Sequence, residues 1–287
     1  MTRNALALVL PLFLVACGTP TDPANPALWQ VDCPDDRTGW LFGTVHALER
    51  PAEWRSEKID KALAEADLLM VELADPDNAA ASAQVWERLA KSPGHAPLSS
   101  RVAPAARKGL ATALEHTGLE DDDFAEIETW AAALTLAQAA SRELDSANGI
   151  DRAVISASAG KRIEELEGRE AQLAIFDQLP EKEQRDLLAA VVADAARGKD
   201  EGAALAAAWR RGDMRTIELE TGRGMLADPE LREALFTGRN QRWTVLLLAA
   251  MKRGDRPFVA VGAAHLAGTE GLPAMLRGHG CTVTRTQ

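Results

Sequence analysis

Two histidines occupy matching places at opposite ends of this chain. Trp40-Leu41-Phe42 runs into Gly43-Thr44-Val45-His46, and Phe258-Val259-Ala260-Val261 runs into Gly262-Ala263-Ala264-His265. The 287 residues hold only five histidines, so the repeated Gly-x-x-His singles out His46 and His265. Two further strand-like runs stop at a carboxylate. Leu68-Leu69-Met70-Val71 precedes Glu72, and Ile163 to Leu166 precedes Glu167. Two imidazoles with a carboxylate form a donor set for a divalent transition metal of unspecified identity. With His46, His265 and Glu72 as ligands, one position stays open for a water whose pKa the metal lowers. The other carboxylate then serves as general base or orients a ligand. The glycines at Gly43 and Gly262 let the backbone turn beside the site and meet substrate.

Three more residues belong to the candidate set. Asp151, in Asn148-Gly149-Ile150-Asp151, sits in the first turn of a helix, where it either caps the helix or contacts substrate. Arg239-Asn240 opens a long helix, and an arginine there can steady a substrate carboxylate or a developing oxyanion. Asn240 is grouped with it as a substrate contact. His95, His116 and His279 lie beside glycines in loop-like or helix-end contexts and read as surface residues.

These groups need a scaffold that brings them to one edge. Strand-type runs cluster at the two ends of the chain: Leu28–Asp32, Gly39–His46, Asp67–Leu73, Lys161–Glu167, Pro257–His265 and Cys281–Thr286. Helical periodicity fills the rest, including Trp54 to Ala66, Asp123 to Leu144 and Arg239 to Lys252. The expected fold is α/β (α+β): a mixed β-sheet built from both chain ends, flanked by helices, with a mostly helical middle insert over about 77–148. In open α/β sheets, ligands bind outside the carboxyl ends of the strands, where His46, Glu72, Glu167 and His265 all fall.

The start of the chain carries its own signal. Met1-Thr2-Arg3-Asn4 is followed by an apolar run from Ala5 to Ala16, too short for a stable membrane span. It ends Leu14-Val15-Ala16-Cys17, which resembles a bacterial lipoprotein signal with cleavage before Cys17 and a lipid on its thiol. Residues 17–27 read as a tether and residues 28–287 as a single domain. Export permits disulfides. Cys33 and Cys281 are expected to bridge, tying the ends of the domain together, with two free thiols as the alternative.

Composition narrows the partners. A formal net charge of −11 argues against nucleic acid, whose phosphates call for a basic face. Tyrosine is absent, so none serves as acid or ligand. Membrane attachment is expected through the lipid, facing the periplasm, most simply at the outer membrane. The substrate is expected to be a peptide or small molecule.

Taken together, these residues resemble the TraB/GumN family, which includes the Tiki metalloproteases. The resemblance rests on Leu28-Trp29-Gln30-Val31, Trp40 to His46, Val71-Glu72-Leu73, Gly149-Ile150-Asp151, Leu166-Glu167-Gly168 with Gln172-Leu173 and Phe176, Arg239-Asn240, and Val261 to Gly268 with Gly271-Leu272. Gly168 stands where the family often has threonine. The resemblance implies a fold related to the erythromycin-esterase and ChaN-like group, with both Gly-x-x-His motifs and Glu72 in the active centre. It implies a metal-dependent hydrolase, most simply a peptidase. The alternative it leaves open is a haem-, iron- or ligand-binding lipoprotein without catalysis.

Overall fold

The apolar runs become strands because their residues are covered on both faces. The computed structural model describes residues 21–141, 143–197 and 200–287. The expected signal segment, Cys17 and the first residues of the tether lie outside the described residues. Eight strands are described: β1 (Asp22–Pro23), β2 (Leu28–Cys33), β3 (Arg37–Thr44), β4 (Ala52–Glu53), β5 (Leu68–Val71), β6 (Arg162–Glu165), β7 (Pro257–Gly262) and β8 (Thr282–Arg285). Six of them form one mixed sheet in the order β6-β5-β7-β3-β2-β8, with β1 and β4 in a separate parallel pair. Strands β6, β5, β7 and β3 are mutually parallel, and β2 runs against both β3 and β8. The sheet therefore needs both ends of the chain, as expected.

Alternation sorts the central strands between two cores. Phe42, Leu69, Val71, Phe258 and Ala260 pack on one face with Ile59, Leu63, Val154 and Trp209. Leu41, Leu68, Met70, Val259 and Val261 pack on the other with Trp243, Leu247 and Leu276. A parallel strand buried on both faces reads as an unbroken apolar run rather than an alternating one. Helices Glu57–Glu65, Ile150–Ala157 and Asp200–Arg210 supply residues of the first core, and Gly238–Lys252 and Leu272–Gly278 those of the second.

A third core belongs to the helical lobe. It joins Leu110, Leu114, Trp130 and Leu136 to Leu187, Leu188, Val191, Leu231 and Leu235. The lobe is thus built from more than residues 77–148. Residues 173–192 and 231–235 complete it, because the apolar faces of helices Arg107–Thr117 and Thr129–Ala140 need partners that the insert lacks. The final stretch of the expected tether is also seated. Asp22 and Pro23 pair with Ala52 and Glu53, and Asn25 N–H donates to the Arg210 carbonyl at 2.6 Å.

Register explains two further features. Asp32 pairs with Thr282, so the next position sets Cys33 beside Cys281, and these two form a disulfide across 248 residues. At the opposite rim, β2 starts and β8 ends: Leu28 pairs with Phe42, and Trp29 pairs with Arg285. The last residue closes on the same place, with Gln287 Nε2 donating to the Pro26 carbonyl at 2.9 Å. No helix among the described residues is long and apolar enough to cross a membrane.

Candidate active site

Parallel register aligns the ends of four neighbouring strands. Thr44 pairs with Gly262, Val71 with Ala260, and Val71 with Glu165. His46, Glu72, Glu167 and His265 each follow within three residues of such an end, so they share one rim. A Cβ placed on Gly262 would lie 3.4 Å from Glu72 Oε1, 3.8 Å from His265 Cδ2 and 3.9 Å from His46 Nε2. The two imidazoles from opposite chain ends do converge. Gly262 keeps a negative φ of −47°, so its contribution is space at the centre of the site, not an unusual turn. Gly43 is likewise a matter of packing, since a Cβ there would press on Ala263 at 3.1 Å.

His46 belongs to a dyad. Its Nδ1–H donates to Asp151 Oδ2 at 2.9 Å, and Thr44 Oγ1 donates to Asp151 Oδ1 at 2.6 Å. Asp151 reaches this position because helix Ile150–Ala157 begins hard against the segment after β3. Ile150 N–H donates to the Val45 carbonyl at 2.8 Å, and Gly149 passes so close to the His46 carbonyl that a side chain would collide with it. Asp151 sits in the first turn of its helix as expected, and its carboxylate holds both His46 and Thr44. The Asp151 hydrogen bond raises His46 to about 9. Burial pushes the Asp151 carboxyl up, but the bonds from His46 and Thr44 outweigh it and leave the group below its usual range. The His46 side chain is 73% exposed, and among the described residues its Nε2 has no hydrogen-bond partner. Asp151→Asn is expected to bring the His46 titration midpoint from about 9 back toward 6.5, as measured by imidazole proton shifts against pH. An unmoved midpoint would remove Asp151 from the dyad.

His265 is held differently. Its Nδ1–H donates to Asn240 Oδ1 at 2.7 Å, and Asn240 Nδ2 donates in turn to the Glu270 carbonyl at 2.8 Å. The ring lies between Trp243, 4.4 Å away centre to centre, and Phe236, at 5.3 Å. Burial, with the Arg239 charge beside it, keeps His265 neutral, well below its ordinary range. Asn240 is 0% exposed, so it orients His265 and is not placed to meet substrate.

Arg239 joins the remaining groups. Its Nε donates to Glu167 at 2.9 Å, its Nη2 to Glu167 and to Glu72, each at 2.8 Å, and its Nη1 to the Leu235 carbonyl at 3.2 Å and His265 Nε2 at 3.3 Å. A guanidinium carries five N–H donors, and all five are engaged. Arg239 therefore has no donor left for the substrate carboxylate or oxyanion expected of it. Burial opposes its charge, yet Glu167 and Glu72 more than offset this and raise its pKa. Glu72 Oε1 accepts from Gly262 N–H at 2.8 Å, and Oε2 also accepts from Gln172 at 3.3 Å. Glu167 contacts arginines, and its side chain is 5% exposed, so it anchors Arg239 and does not face water. Glu167 is followed by Gly168 at φ 80°, a left-handed turn that suits glycine and starts helix Arg169–Asp177.

One backbone device sets this geometry. Glu233–Thr237 winds as a π-helical turn directly before helix Gly238–Lys252, a distortion common at functional sites. It carries Phe236 onto His265 and the Leu235 carbonyl onto Arg239. Sequence reasoning assigned no role to Thr44, Gln172, Phe236 or Trp243. Only Thr44 and Gln172 left a trace, the first inside the Gly-x-x-His motif and the second one helical turn after Gly168.

The donor chemistry suits a metal, but the arrangement does not. Both histidines commit Nδ1 to an oxygen and turn Nε2 inward, yet Arg239 sits on His265 Nε2 and on Glu72. Among the described residues no three His, Cys, Asp or Glu side chains are grouped to hold an ion.

Two cavities meet at His46. The larger, about 890 Å³, runs from Thr44 and His46 past Gly262 to His265, with Trp209 and Leu119 in its walls. The smaller, about 220 Å³, is bounded by Glu72, Gln172, Phe176 and Arg239.

With the four strand ends, the dyad and the arginine hub in place, comparison with known families is decisive. The TraB/PrgY/gumN family model matches residues 27–285. The chain belongs to the TraB/PrgY/gumN family. The match takes in every strand of the main sheet and every residue of the site. No curated protein and no solved structure matches the chain. What distinguishes this TraB/PrgY/gumN site is therefore read from its own geometry: one open imidazole, one closed one, and an arginine bound between two carboxylates.

Proposed function

We propose that this TraB/PrgY/gumN chain is a hydrolase in which His46 moves the proton of an attacking water. The substrate is a peptide or a small carbonyl compound. The observation that supports this reading is the unpartnered Nε2 of His46, a residue that lines both cavities, while Asp151 fixes its Nδ1–H. A carboxylate bound to Nδ1 selects the tautomer whose Nε2 accepts a proton, and it stabilises the imidazolium that follows. The same Nε2–H then protonates the leaving group. Glu72, Glu167 and Arg239 hold the floor of the site, and neutral His265 closes its back.

At neutral pH His46 of the free protein carries a proton, so the base form grows as pH rises toward about 9. The expected result is a kcat/KM that climbs tenfold per pH unit below that value and levels above it. His46→Ala should lower hydrolysis of peptide anilides and p-nitrophenyl esters by about 10²–10⁴-fold, and His95→Ala should not. A His46→Ala variant as active as the parent would sink the reading.

A metal-dependent form would need a rearranged site, because Arg239 occupies His265 Nε2 and Glu72. His46, His265 and Glu72 would hold the ion once Arg239 released the last two, and the ion would supply an acidified water. Elemental analysis after incubation with zinc, cobalt or manganese checks it. Stoichiometric metal lost in both His46→Ala and His265→Ala supports this form; negligible metal in the parent leaves proton transfer to His46 alone.

We also propose that the protein faces the periplasm and is anchored through lipid on Cys17. The Leu14-Val15-Ala16-Cys17 pattern supports this, and so does the Cys33–Cys281 disulfide, which suits an oxidising compartment.

A further inference from the structure

The two cavities beside His46 differ in chemistry. No Lys, Arg, Asp or Glu lines the larger one among the described residues; its only titratable groups are His46 and His265. Its far walls are Leu119, Leu144, Leu205, Ala206, Trp209 and Ile217. Trp209 is a fixed wall, because its Nε1–H donates to the Gly43 carbonyl at 2.9 Å. The remaining wall is a face of helix Thr129–Ala140, presenting Thr135, Gln138 and Ala139 at helical spacing. The smaller cavity carries Glu72, Arg239 and Gln172. Away from His46, a charged group in the larger cavity would lose water without meeting an opposite charge among the described lining residues, whereas an apolar group gains by leaving water. At about 890 Å³ against about 220 Å³, the larger cavity takes far more of a substrate than the smaller one.

We propose that the substrate is an amphiphile, with its hydrolysable group at His46 and a long, uncharged apolar chain in the larger cavity. The proposal rests on the reading of His46 as the reacting group, and it names the class of molecule brought to it. Each methylene buried in such a cavity strengthens transition-state binding by up to about fourfold. The full-length protein should therefore hydrolyse p-nitrophenyl octanoate with a kcat/KM at least tenfold above that for the acetate. The suberic acid monoester, equally long but ending in a carboxylate, should lose that gain.

Ala139 and Ala206 line the cavity and are only partly buried, so a phenyl ring at either is expected to occupy it, Ala206 also packing against the first core. Ala139→Phe and Ala206→Phe should each erase the advantage of octanoate over acetate. They should also weaken at least tenfold the binding of N-phenyl-1-naphthylamine, an uncharged apolar dye that brightens when it leaves water. Acetate turnover with no gain for octanoate, or a suberate monoester handled as well as octanoate, would overturn the proposal and leave the hydrolase reading intact. Dye binding that both phenylalanine variants weaken, with no ester hydrolysed at all, would support the apolar cavity and defeat the hydrolase reading. Dye binding unchanged in both variants would overturn the assignment of the cavity.

Discussion

Replacing Arg239 by methionine is expected to lower the unfolding free energy by about 3–5 kcal/mol, the usual consequence of removing one partner from a buried ion pair. The side chains of Arg239, Glu72 and Glu167 are 13%, 8% and 5% exposed. Without the guanidinium, two carboxylates lie side by side under the sheet rim, with little water to compensate. His265 Nε2 and the Leu235 carbonyl lose a donor as well. Arg239→Lys should recover only part of the loss, because one ammonium cannot reproduce a planar fork reaching four acceptors. Neutralising the acids in the methionine background, with Glu72→Gln and Glu167→Gln, should restore much of it, since the cost arises from unpaired charge more than from a lost contact. Urea unfolding of these variants, beside Glu72→Gln/Glu167→Gln in the parent, separates these contributions as a mutant cycle. A change under about 1 kcal/mol for Arg239→Met would mean that solvent reaches the carboxylates and that the hub is not structural.

Breaking the disulfide should have an effect of similar size by a different route. Cys33 and Cys281 close a loop across 248 residues, and chain entropy assigns a crosslink of that span about 5 kcal/mol, exerted on the unfolded state. That is comparable with the whole stability of many domains. The bridge lies at the rim away from His46, so its loss should leave the site intact as long as the chain stays folded. The expected result is a lower urea midpoint for Cys33→Ser/Cys281→Ser, with unchanged pH dependence of His46 in the folded protein. An unchanged midpoint would show that the unfolded chain is already compact enough for the crosslink to remove little freedom.

Much of the scaffold could be read from local pattern. Phe-Val-Ala-Val between Pro257 and Gly262 can hardly be anything but a buried strand, and Leu-Leu-Met-Val before Glu72 follows the same logic. Because such strands run parallel and side by side, their polar terminators had to gather at one edge, which is why His46, Glu72, Glu167 and His265 were legible. The family resemblance was legible for the same reason, since its matching stretches are largely these strand ends.

What each residue does there was not legible. Asp151 lies 105 residues from its partner His46, and no local rule links them; a carboxylate in a first helical turn looks the same whether it caps or pairs. Arg239 looked available because an arginine near a helix start is usually solvated. Only tertiary packing reveals that its five donors are spent. The π-helical turn at Glu233–Thr237 carries no signature that separates it from ordinary helix, and the shared core of the helical lobe depends on which faces meet. The two-residue strands β1 and β4 are too short for any periodicity to register.

The route of the chain has a practical side. β2 starts and β8 stops at the His46 rim, so Leu28 and Gln287 lie on that side of the sheet. A purification handle placed after Gln287 would leave from the His46 side of the sheet, whereas the loop beside the Cys33–Cys281 disulfide lies at the opposite rim.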